Sequence, residues 1–194
     1  MTPRDFVAGL SEVMEIERTE LATVDRALAK KGLRQLARGR FRPDITLTEG
    51  VQLACAWAGA ENLTLAASEV GRLNGFVALT ELVDEEDQFF AQLFGYGPRE
   101  VPSKTFLDLV SMAARQLGAG KYPAKELWVN IEKCCSVDII YRDDSGRTNL
   151  LFEYPFFSCP PEGISIFEHR RNVKVRVTIN GAVFKWIFEV TEGA

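Results

Sequence analysis

"NVKVRVTINGAVFKWIFEV", residues 172–190, decides how the C-terminal part of the chain folds. Val173, Val175, Val177 and Ile179 alternate with Lys174, Arg176 and Thr178. That period of two marks a strand with one apolar and one wet face. Asn180-Gly181 comes next, a pair suited to the positive φ values of a tight type I′ turn. The stretch therefore predicts a β-hairpin whose second strand is "AVFKWIFEV", with aromatics such as Trp186 and Phe188 on one side. Upstream, "ELWVNIEKCCSVDIIYR" (126–142) and "TNLLFEYPFF" (148–157) flank "DDSG", a turn signal. The sum is four or five antiparallel strands, with Lys174, Arg176 and Lys185 read as a solvent face.

The N-terminal half carries the helical period instead. Thr2, Pro3 and Asp5 form a helix start: a capping oxygen, a proline in the first turn and an early carboxylate. Phe6, Leu10, Val13 and Met14 fall on one face of that helix. A second helix runs from Thr19 to just before Gly32, with Leu21, Val24 and Leu28 as its buried stripe. Thr46 and Glu49 have capping-box spacing ahead of "GVQLACAWAGA". Asn62 or Thr64 opens a short helix that reaches about Leu73. "DEEDQFFAQLFGYG" (84–97) predicts a helix burying Phe89, Phe90, Leu93 and Phe94. "PSKTFLDLVSMAARQLG" (102–118) predicts another, capped by Ser103, packed through Phe106, Leu107, Val110 and Ala114, and ended by Gly118. "GAGKYPAKE" (118–126) reads as a linker.

The expected class is α+β: an N-terminal helical half followed by a C-terminal antiparallel β-sheet. The division is a helix-turn-helix-like region over 1–75, a helical connector over 76–120 and an antiparallel β domain over 121–194.

Composition narrows the function. With 194 residues, 46% hydrophobic and 26% charged, the chain reads as an ordinary globular protein. No apolar run approaches the ~20 residues of a membrane span, and the first twenty residues lack a signal peptide's apolar core, so a cytoplasmic location is expected. The four cysteines (Cys55, Cys134, Cys135 and Cys159) make no CxxC pair and read as reduced core thiols. The lone histidine, His169, lies in the charged stretch "FEHRRN" and reads as part of a solvated turn. Neither a metal site nor an acid–base pair is expected from such a set. Phosphate-binding glycine loops of the forms GxxxxGK[ST] and GxGxxG are absent. No enzyme activity and no cofactor are therefore expected.

"RALAKKGLRQLARGRFR", residues 26–42, holds seven basic residues and no acidic one in a chain of net charge -4. On a helical wheel with Leu21 facing the core, Thr19, Thr23, Arg26 and Lys30 gather on the opposite side. Two hydroxyls and two cations suit contact with phosphates and with base edges in a major groove. Arg34, Arg38, Arg40 and Arg42 follow in a glycine-broken segment able to reach the backbone or the minor groove. Residues 1–60 carry nine basic and eight acidic groups, residues 61–126 six and ten, so the chain is expected to have a positive edge and a negative body.

The order of helix, short connection "MEIERT", polar-faced helix, basic segment and apolar helix is that of helix-turn-helix proteins. "ATVDRALAKKGLRQLARGR" resembles the second helix and the start of the wing in winged helix-turn-helix proteins. Leu10, Met14, Ile16, Leu21 and Val24 sit where such sequences carry buried apolar residues. "RFRPDITLTEGVQLACAWAGA" resembles a segment of uncharacterised bacterial and prophage proteins. The resemblance covers roughly residues 4–73, and it departs at Glu15, where the turn often has glycine. It implies sequence-specific binding of double-stranded DNA by Thr19, Thr23, Arg26 and Lys30, as in a transcriptional regulator of phage or prophage origin. A homodimer reading two half-sites is a further expectation. The alternative is a protein-binding inhibitor or accessory factor, such as a phage anti-defence protein. It would engage a protein partner through "DEED" (84–87), the neighbouring "FFAQLF" and the sheet.

Overall fold

The computed structural model describes residues 1–35, 43–75, 105–120, 126–133, 137–142, 148–150 and 175–193. In chain order these form helices α1 (Pro3–Met14), α2 (Arg18–Lys30) and α3 (Leu47–Gly59), a 3-10 turn (Leu63–Leu65), and helices α4 (Ala66–Asn74) and α5 (Phe106–Gly118). Strands β1 (Leu127–Glu132), β2 (Val137–Arg142), β3 (Thr148–Leu150) and β4 (Arg176–Asn180) follow, then helix α6 (Gly181–Thr191). The architecture is α+β: helices first, then an antiparallel sheet, then a closing helix.

The described strands stand in the order β3-β2-β1-β4, and every neighbouring pair is antiparallel. β2 and β3 are the arms around "DDSG", with Arg142 opposite Thr148. β1 and β2 both come from the single stretch 126–142 and pair from Leu127↔Tyr141 to Ile131↔Val137. The register sets Val129 between Ile139 and Ile179, and Ile131 between Val137 and Val177. These residues make one apolar face against α3 and α6, all buried except the half-buried Val177.

The hairpin expected at 172–190 is not there. β4 ends at Asn180, and "AVFKWIFEV" is helix α6. Asn180 does not enter a type I′ turn; it is the helix N-cap, extended at φ -82 and ψ 161. Its side-chain oxygen accepts from the backbone N–H groups of Ala182 (3.0 Å) and Val183 (3.4 Å), two donors that a helix start leaves orphaned. The segment is apolar at most positions, so its periodicity suits either structure. Burial settles the matter: Val183, Phe184 and Ile187 share the helix face that meets the core. Lys185 pairs along the helix with Glu189 (3.7 Å) and does not share a sheet face with Arg176.

The N-terminal helices form close to where the sequence puts them. Thr2 caps α1, and Thr46 with Glu49 makes the capping box of α3. Ser103 lies outside the described residues; the cap of α5 is Thr105, in a box with Asp108. Phe106, Leu107, Val110 and Ala114 are buried as expected, and α5 includes Gly118 as its last residue. A Cβ at Gly118 would run into the ring of Phe188, so this glycine is what lets α5 and α6 approach. The helix expected over 84–97 lies outside the described residues.

α3 is buried on almost every side and contacts α2, α4, α5, α6, β1 and β4. α6 packs on α1, α3 and α5, and the Trp186 ring stands 5.3 Å from that of Phe6. One contiguous cluster of buried side chains runs from Phe6 to Ile187. Among the described residues no helix is long and apolar enough to cross a membrane.

Candidate nucleic-acid interface

The surface at issue is the outer side of α2, and the α1–α2 connection sets its direction. Three residues, Glu15 to Glu17, separate the helices. Glu15 takes the left-handed conformation, φ 55 and ψ 42. Its N–H donates to Glu12 O (3.3 Å) and that of Ile16 to Ser11 O (3.0 Å), the two bonds of a Schellman stop. Glu15 thus adopts the backbone shape that the resemblance assigns to glycine, at a cost of roughly 1–2 kcal/mol for a side-chain-bearing residue. α2 ends the same way at Gly32 (φ 74), with Gly32 N–H donating to Ala29 O (3.1 Å) and Leu33 N–H to Leu28 O (3.0 Å).

Leu21, Val24, Leu28 and Ala29 bury the inner side of α2. Glu20 accepts from Trp57 Nε1 at 2.8 Å and ties the helix to α3. Thr19, Arg26 and Lys30 are exposed and Thr23 is half-buried, so the four residues expected on one face are found there together. The Thr23 hydroxyl donates to Thr19 O (2.9 Å) and accepts from Arg26 Nη2 (3.2 Å), while Arg26 Nε donates to Ala22 O (3.1 Å). Arg26 therefore lies back along its own helix. Among the described residues neither Arg26 nor Lys30 is in an ion pair.

Arg34 is placed differently. It turns inward and pairs with Asp25: Nη2 donates to Oδ2 at 3.1 Å, while Nε stands 2.5 Å from Oδ1 in ionic contact without a hydrogen bond. The two side chains are only 12% and 14% exposed, so this cation is matched within the chain. Burial pushes the Asp25 carboxyl above the ordinary value, outweighing the pull of Arg34, and the nearby Glu49 adds to the rise. Arg38, Arg40 and Arg42 lie outside the described residues, as do Cys134, Cys135, Cys159 and His169. Cys55 is a free, fully buried thiol pushed up by burial.

Two features were not expected from sequence. Asp25 sits just before the basic run, and its distance in sequence from Arg34 gave no signal of pairing. On the sheet face opposite the helices, Asn130 bridges Asp138 and Thr178 through 2.5 Å bonds, and Arg176 reaches Asp138 at 3.2 Å. Strand alternation places these polar residues on one face once the register is known, but sequence alone did not supply the register. Among the described residues no group of acidic, histidine or cysteine side chains could hold a metal ion.

Comparison with protein-family models, with curated proteins and with solved structures returned no match for this chain.

Proposed function

We propose that this chain is a DNA-binding transcriptional regulator that presents the outer face of α2 to the major groove of duplex DNA. The observation carrying the reading is the joint exposure of Thr19, Arg26 and Lys30 beside Thr23, on a helix whose other side is fixed in the core. Among the described residues neither cation is in an ion pair, although Arg26 lies close enough to Asp25 for its charge to act on that carboxyl, and this favours a polyanionic partner. The three-residue connection to α1 supports the same reading. In this proposal Thr19 and Thr23 supply hydroxyls, Arg26 swings off its helix to a phosphate or base edge, and Lys30 meets the backbone. Arg38, Arg40 and Arg42 extend the contact from the segment that follows. Arg34 holds the base of that segment through Asp25 and does not face the duplex. A cytoplasmic location and a homodimer reading two half-sites go with this proposal.

The test is a double substitution, Arg26→Ala with Lys30→Ala. Both side chains are exposed, so the circular dichroism spectrum and melting temperature should stay close to the parent's. Retention on fragmented bacterial and phage DNA should be lost. Equal retention of parent and variant, or no retention of the parent at low salt, overturns the reading.

A further inference from the structure

We propose that Thr23 is a positioning residue for Arg26: its hydroxyl holds the guanidinium back along α2, and any complex with duplex DNA that uses Arg26 must first undo that hold. The inference rests on the DNA-binding reading above.

A threonine hydroxyl has one hydrogen to give and two lone pairs that accept. Thr23 gives its hydrogen to Thr19 O, one turn back on the helix, at 2.9 Å. This bond selects one of the two rotamers that a helix allows threonine, and it leaves the oxygen as an acceptor only. Arg26 lies one turn ahead, on the same side of α2. Its Nη2 donates to the Thr23 hydroxyl oxygen at 3.2 Å, and its Nε donates to Ala22 O at 3.1 Å. Ala22 O is also the carbonyl that the helix ladder assigns to the Arg26 backbone N–H. Any helix offers a carbonyl four residues back. The second anchor exists only because residue 23 carries a hydroxyl.

Thr23 is half-buried and Arg26 exposed, so the hydroxyl has few places to go while the guanidinium can leave. Held along the helix, Arg26 also lies close enough to Asp25 for its charge to act on that carboxyl. A phosphate or a guanine edge that takes Arg26 therefore has to replace two hydrogen bonds and outdo a nearby carboxyl. The apparent affinity falls in proportion to the fraction of molecules whose guanidinium is free. In water the net strength of one such hydrogen bond corresponds to a factor of about three to ten in that fraction.

The experiment compares the parent with Thr23→Val, which keeps the shape and removes the hydroxyl, and with Thr23→Ser, which keeps the hydroxyl. One readout is the rate at which phenylglyoxal modifies Arg26 relative to Arg18, exposed on the first turn of the same helix, followed by mass spectrometry. The reagent condenses with the two terminal guanidinium nitrogens, so Nη2 must leave Thr23 first. Thr23→Val should raise that ratio about threefold, and Thr23→Ser should leave it at the parent's value. The other readout is affinity for fragmented bacterial and phage DNA, taken round a cycle with Arg26→Ala. The cycle removes any contact that the Thr23 hydroxyl itself makes with the duplex. Thr23→Val should favour binding about threefold more with Arg26 in place than with Arg26→Ala. A modification ratio for Thr23→Val equal to the parent's overturns the inference, and so does a Thr23→Ser ratio that matches Thr23→Val. A cycle with no coupling, or with coupling of the opposite sign, overturns it as well. Should Thr23→Val fail to fold, Thr23→Ala removes the same hydroxyl with a better helix former. If the parent does not bind duplex DNA, the functional reading falls, and the modification ratio alone judges whether Thr23 holds Arg26.

Discussion

At the scale of single residues, the Asp25–Arg34 pair shows burial and attraction in opposition. The charge of Arg34 and its hydrogen bond favour the charged carboxylate, yet desolvation wins and raises Asp25 above its ordinary value. The sign of the pH dependence follows. A carboxyl whose folded value is raised contributes stability that is fully present below the unfolded value of about 3.8 and lost as pH rises through the folded one. Urea unfolding of the parent and of Asp25→Asn between about pH 3 and 7 isolates this group. The parent should lose stability relative to the variant as pH increases across the window; the opposite trend would refute the assignment. Glu192 has the reverse sign. Its hydrogen bonds from Arg115 hold it below the ordinary range, so its contribution is present above the unfolded value and lost as pH falls through the folded one.

At the scale of elements, the sequence was most legible where a chemical signature and a period agreed. Thr2-Pro3, the Thr46/Glu49 box and Gly32 each carry a backbone requirement that few residue types satisfy, and each marks a real boundary. It was least legible at Asn180-Gly181, because asparagine serves a tight turn and a helix cap equally well, and because an apolar run has no informative period. The capping role makes its own prediction. Asn180→Ala should destabilise the protein by about 1 kcal/mol, read as a shift in the denaturation midpoint, because two N–H groups of the first helical turn lose their acceptor. Had the pair been a hairpin turn, Asn180→Asp would weaken it little and Gly181→Ala severely; as a helix start, Gly181→Ala meets no φ penalty. The candidate interface was half legible: the wheel gathered Thr19, Thr23, Arg26 and Lys30 correctly, but a wheel knows nothing of Asp25 reaching Arg34.

At the scale of the whole molecule, charge and core make separate predictions. Five phosphate contacts from the cations of residues 26–42 would give a slope of about -4.5 in log affinity against log salt. A slope near zero would mean that net charge -4, not the local basic surface, governs the encounter. The buried cluster joins helices from both ends of the sequence to the sheet, so unfolding should be one event. Tryptophan emission (Trp186 among the helices, Trp128 on β1) and far-ultraviolet dichroism should report the same midpoint in urea; two separated midpoints would count against a shared core.

The pairing of Phe6 with Trp186 bears on how the protein is made. α1 leaves the ribosome well ahead of α6, yet α6 supplies, with α2, part of the wall that α1 packs against. Until translation reaches that helix, the nascent polypeptide must carry an unfinished oily seam through the cell. Messages cut short before residue 181 would therefore yield fragments that chaperones retain and proteases clear.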